Sequence, residues 1–344
     1  MQLLILAVLL AQDPHATLYE EEPVATLALR EKLWRQMDAF TKSLATHPES
    51  RLHAFKTKIG YPPAGLHAVA GRPRLEKFAA DAVATYYRCY IEVAPHLDQY
   101  GLYIVPRKTK GKTPLVISQH GGGGTPEMAT FQGGANYRDM VRGAVQEGYI
   151  VWAPLTVMYP YRDRDQGTAI PAEVRRDLDA PLREVGASLM GLEVAKISLA
   201  LTALLKDRQE IDAQRIAMVG LSYGGFYTLY TAALDPRIKV AVASCSFRNQ
   251  ANPQTNPQAN QQSAPEGRPV DLAGPELASL IAPRPLQVQA GVNDKGFPID
   301  DVRAAAKRTQ TLYGPAKTFE FIEFEGGHEW RGTVAWPFLR KHLR

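Results

Sequence analysis

Val219-Gly220-Leu221-Ser222-Tyr223-Gly224-Gly225 is the stretch on which the reading of this chain turns. The run 215–219 ahead of it is short and nearly all apolar, as in a parallel strand covered on both faces. Residues 226–234 behind it have a helical pattern. Between them, Gly-x-Ser-x-Gly fits a strand-to-helix turn so tight that a side chain at Gly220 or Gly224 would crowd the backbone. Ser222 Oγ is then left at the carboxyl edge of the sheet, above a helix N-terminus that favours negative charge. A glycine-rich turn with an incidental serine shares this pentapeptide, so the rest of the chain must discriminate.

At 344 residues and 45% hydrophobic content, the chain can bury the core of a large α/β domain. The net charge of +5 and pI near 9.0 come from scattered positions: Arg72, Arg74 and Lys77, then 107–112, Arg175 and Arg176, Arg340 and Lys341. No basic stripe interleaves with aromatics, so no nucleic-acid partner is expected. Cys89 and Cys245 allow at most one bridge and match no metal spacing. Residues 1–11 are apolar like the core of a secretory signal and too short to span a bilayer. They predict a signal-like segment over 1–16 and a periplasmic or secreted protein. No Lys or Arg precedes the segment and Leu9 stands where a small residue is preferred, so a buried N-terminal helix in a cytoplasmic protein is the alternative. No other stretch predicts membrane insertion.

Residues 17–83 read as an N-terminal helical extension, with Leu29, Leu33, Met37 and Phe40 on one apolar stripe packed on the outside of the main domain. From 84 to 344 the pattern is one catalytic domain. Strands over 85–93 and 100–105 form an antiparallel pair. A strand over 115–119, a helix over 136–147, a strand over 149–153 and a single helix over 182–206 follow. After the serine come strands over 238–243, 286–290 and 318–324, with helices over 301–312 and 330–342. An irregular insertion rich in Asn, Gln and Pro occupies about 247–280. The alternation means a mostly parallel central sheet with helices on both faces.

A serine hydroxyl needs a neighbouring base, itself oriented by a carboxylate. Asp294 and His328 each follow a strand, at the same sheet edge as Ser222. Asp300 or Asp301 could supply the acid instead, but Ile299-Asp300-Asp301 opens a helix and reads as its cap. The four glycines after His120 lack the Lys-Ser/Thr of a phosphate loop, and an oxyanion hole is their better use. His120 precedes the serine and is assigned to positioning that loop. With no HExxH, neither a metal nor another cofactor is expected.

Three further stretches sharpen this picture: 233–239 (Ala-Leu-Asp-Pro-Arg-Ile-Lys), 281–286 with 291–298 (Gly-Val-Asn-Asp-Lys-Gly-Phe-Pro), and Gly326-Gly327-His328-Glu329. With 220–226 they resemble the acetyl xylan esterase-like branch of the α/β-hydrolases, near dienelactone hydrolases and prolyl-oligopeptidase catalytic domains, over about 85–344. The resemblance implies an α/β-hydrolase fold and a Ser222, Asp294, His328 triad, with oxyanion donors from the Tyr223 backbone and Gly122. It implies a serine carboxylesterase whose partner is a small-molecule ester. Segments 159–166 and 249–267, rich in Tyr, Arg, Asp, Asn and Gln, predict a polar rim suited to a short acyl ester of a carbohydrate or similar alcohol. A prolyl-oligopeptidase-like peptidase would need a propeller that about eighty residues cannot build. A non-catalytic hydrolase-fold binding protein would have lost a triad member.

Overall fold

The structure, a computed structural model, describes residues 32, 34–40, 42–43, 47–63, 66, 72–109, 111–122, 124–131, 136–156, 179–249 and 273–343. The chain divides into two compact units, Met1–His53 and Ala54–Arg344. In the first, residues 34–40 are helical, and Trp34, Met37 and Phe40 are exposed. Met37 and Phe40 are the described members of the expected stripe; Leu29 and Leu33 lie outside the described residues, as does the signal-like segment.

Helix α1 (Pro48–Ile59) ends inside the second unit, where Phe55 and Ile59 are buried and the Phe55 ring lies 5.4 Å from that of Tyr230. Strands β1 (Arg74–Ala80), β2 (Ala84–Ala94) and β3 (Leu97–Pro106) follow as an antiparallel meander. Strand β4 (Thr113–Gln119), α2 (Pro126–Phe131), α3 (Met140–Gln146), β5 (Ile150–Pro154) and α4 (Leu189–Asp207) lead to β6 (Ile211–Leu221). Beyond it come α5 (Tyr223–Leu234), β7 (Val240–Ser244), α6 (Gly274–Ile281), β8 (Leu286–Gly291), α7 (Ile299–Tyr313), β9 (Phe319–Phe324) and α8 (Gly332–His342). Among the described residues nine strands run in the order β1-β2-β3-β5-β4-β6-β7-β8-β9, parallel from β5 to β9.

Alternation along β6 divides the core. Ala217, Val219 and Leu221 join a buried cluster with Met140 and Val141 of α3 and Ala335, Phe338 and Leu339 of α8. On the opposite face, Gly220 meets α5. Both faces of the strand are covered, which is why its sequence is an unbroken apolar run.

Three expectations change. The sheet starts at Arg74, ahead of the boundary drawn at residue 84; Arg-Leu-Glu-Lys-Phe-Ala-Ala lacks β-branched residues and is held as an edge strand by pairing with β2 and by Arg74 over the Tyr90 ring and Arg88 over the Phe78 ring. The single helix over 182–206 is two: residues 179–184 are helical, and α4 starts afresh where Ser188 Oγ accepts the Gly191 N–H at 2.9 Å. The irregular insertion ends before α6, where Pro275 sits in the first turn and Leu277, Ala278 and Ile281 are buried, a short helical stripe inside 247–280.

Candidate active site

Ser222 stands between β6 and α5 with φ 60° and ψ −121°, a conformation costly for a side-chain-bearing residue. Its neighbours enforce the turn. A Cβ on Gly220 would lie 2.2 Å from Gly224 O, and one on Gly224 would lie 2.1 Å from Gln119 O. The Ser222 N–H donates to Ser244 O at 2.8 Å, anchoring the turn to the end of β7. Although serine is a favoured N-cap, its Oγ makes no capping bond to α5.

Gln119 pairs with Gly220 in register, so the glycine loop after β4 and the turn after β6 leave adjacent strand ends. The chain progresses from β4 to β5 in one direction and from β6 to β7 in the other, which makes this gap a topological switch point. Gly121 closes in on the serine: a Cβ there would lie 3.3 Å from Ser222 Cβ. His120 Nε2 accepts the Thr156 N–H at 3.2 Å, which assigns the ring proton to Nδ1, donating to Gly121 O at 2.7 Å. Complete burial pushes the His120 pKa down to about 4, so the ring stays neutral and braces the loop. Gly122 is exposed next to it, and Tyr223 opens α5.

Asp294 and His328 meet across the ends of β8 and β9: His328 Nδ1 and Asp294 Oδ2 are 2.8 Å apart. The Asp294 side chain is 2% exposed and that of His328 34%. Burial alone would raise the Asp294 pKa. Hydrogen bonding and attraction from His328, with the Gly296 N–H at 2.8 Å, hold it below the ordinary carboxylate value. The Asn293 N–H donates to Gly326 O at 2.9 Å, so the two loops lie against each other. Phe297 stacks on the His328 ring at 5.7 Å and 17° between planes.

Of the rival acids, Asp300 pairs with Arg303 and Asp301 Oδ2 accepts the Asn249 N–H at 3.1 Å. Neither caps α7, whose N-cap position is Pro298; they sit in its first turn. Cys89 and Cys245 are free and buried, so no bridge joins them. Cys245 Sγ, an Asp294 oxygen and a His328 nitrogen lie within 4.8 Å of one another. Burial first, then the Asp294 charge, push the Cys245 thiol up to about 12, which keeps it protonated. Neither Cys245 nor Phe297 was expected beside the triad, though each directly follows a strand end or the acid turn. Of the segments expected to form a polar rim, 159–166 and 250–267 lie outside the described residues. Among the described residues no helix is long and apolar enough to cross a membrane.

A nine-stranded, mostly parallel sheet with helices on both faces and a serine at its switch point is the α/β-hydrolase fold. No family model matches the chain. It is similar to YtaP of Bacillus subtilis (strain 168), which carries a hydrolase name, at 26% identity over 265 residues, 74% of this chain and 86% of that one. Methylesterase BT1017 superposes with a TM-score of 0.66 at 19% identity, over 88% of this chain and 66% of that one. Acetyl xylan esterase 1 from Thermoanaerobacterium sp. JW/SL YS485 does so with a TM-score of 0.57 at 18% identity, over 86% and 94%. At such identities the solved structures establish the fold.

Proposed function

We propose that the protein is a serine carboxylic-ester hydrolase working through an acyl-enzyme. The carrying observation is a serine held at φ 60° beside the glycine loop, on the sheet edge where His328 and buried Asp294 are hydrogen-bonded. Ser222 Oγ attacks the ester carbonyl as His328 takes its proton; the tetrahedral oxyanion is received by the N–H groups of Tyr223 and Gly122. Collapse breaks the bond to the alcohol, which leaves with the proton from His328. Water repeats the sequence on the acyl-serine and releases the acid. Asp294 keeps the Nδ1 proton in place and steadies the imidazolium.

The favoured substrate is a short acyl ester, acetyl foremost, of a carbohydrate or comparably polar alcohol. The polar composition of the rim segments and similarity to an acetyl xylan esterase and a methylesterase by name support this reading. Its signal-like start favours a periplasmic or secreted enzyme, which N-terminal sequencing of the mature protein tests.

A fluorophosphonate probe should label the native protein, and Ser222→Ala should abolish labelling and lower kcat by roughly 10⁴. In a panel of chromogenic acyl esters with acetylated xylan, methyl uronates and a prolyl amide, kcat/KM should fall beyond propionyl. Equal labelling of Ser222→Ala removes the nucleophile assignment. Faster turnover of octanoyl than acetyl esters, or preference for the methyl uronate or the amide, overturns the substrate.

A further inference from the structure

The glycine loop touches a side chain outside the triad. The Gly121 N–H donates to Tyr137 Oη at 3.0 Å, and Tyr137 is 5% exposed. The same loop folds back on itself, Gly124 N–H donating to Gly121 O at 3.2 Å. It fits so closely around the phenol that a Cβ on Gly124 would lie 2.1 Å from Tyr137 Oη. Flanking residues reach the other side of the site. Asn136 O accepts the Trp330 N–H at 2.8 Å, and Arg138 pairs with Glu329 at 2.5 Å, one residue past His328. Arg138 and Asp139 both take positive φ, 42° and 58°, strain that a segment held at both ends can sustain.

We propose that Tyr137 is a positioning residue for oxyanion stabilisation, a reading that rests on the esterase mechanism above. Gly121 lies against the nucleophile, yet its N–H is occupied by the phenol. The next amide, on exposed Gly122, is therefore the loop donor that meets the substrate oxyanion. Tyr137 sets its distance from Ser222, and the 136–138 segment ties that loop to the loop carrying His328. Because an oxyanion forms only in the transition state, misplacing the donor lowers kcat and leaves ground-state binding alone.

The test is Tyr137→Phe, which keeps the ring and removes the oxygen. With the acetyl ester that the wild type turns over, kcat should fall about 10- to 100-fold and KM change less than about 3-fold. The acid limb of the kcat/KM profile should not move, since Asp294 and His328 are untouched. Gly124→Ala, which displaces the phenol without deleting it, should reproduce the loss. In the Tyr137→Phe background, where the obstructing oxygen is gone, the same alanine should cost less than about 3-fold more. A Tyr137→Phe enzyme with wild-type kcat, or losses that simply multiply in the double variant, overturns the proposal. So does a shifted acid limb. If Tyr137→Phe does not fold, Gly124→Ala decides alone by its kcat and KM. Turnover by Ser222→Ala would instead defeat the underlying mechanism, whatever Tyr137 does.

Discussion

His120 and His328 show how the same side chain is given two roles by its surroundings. His328 is a third exposed and touches a carboxylate; His120 is sealed in, with both ring nitrogens on backbone groups. The difference is measurable through pH. His120 has a folded pKa of about 4 against about 6.5 for a free imidazole. Between those values the unfolded chain binds the proton and the folded one does not, so this residue makes stability rise with pH across the window. About 3 kcal/mol is involved by the time pH has fallen to 4. In His120→Asn, whose amide can donate to Gly121 O in place of Nδ1, urea unfolding at stepped pH should show a correspondingly flatter rise. An unchanged slope would mean that other groups carry it.

Among the elements, the junction before α4 is the one the sequence pattern conceals. The apolar stripe from 190 to 205 lies wholly within α4, and its period does not say where the helix begins. The restart depends on a contact distant in sequence: Ser188 Oγ donates to Ile59 O at 2.5 Å while accepting the Gly191 N–H. One hydroxyl therefore caps α4 and satisfies the end of α1. Ser188→Ala should lower stability by about 2 kcal/mol, a lost cap together with a buried carbonyl left unpaired. Denaturant unfolding checks this, and kcat should stay at the wild-type value, because Ser188 belongs to none of the loops around Ser222.

For the molecule as a whole, the division near residue 53 makes truncation informative. A chain beginning at Pro48 should keep turnover and cooperative unfolding. One beginning at Pro62 loses the buried Phe55 and Ile59 and the partner of Ser188, and should lose about 5 kcal/mol or more by the usual cost of emptying such sites. Equal unfolding midpoints would show that α1 is dispensable. What the sequence determined by itself is local: a serine between strand and helix, an acid and a histidine after later strands in the order Ser, Asp, His, and the alternation of a parallel sheet. These are legible because strand period, glycine spacing and chain order are written within a few residues of each site. A helix opening at Ile299 already favours Asp294 over Asp301 in the sequence; tertiary structure then bonds Asp294 to His328 and Asp301 to the Asn249 N–H. It alone brought Tyr137 to Gly121 and Cys245 beside Asp294, contacts between segments far apart in sequence whose residue types carry no local signature.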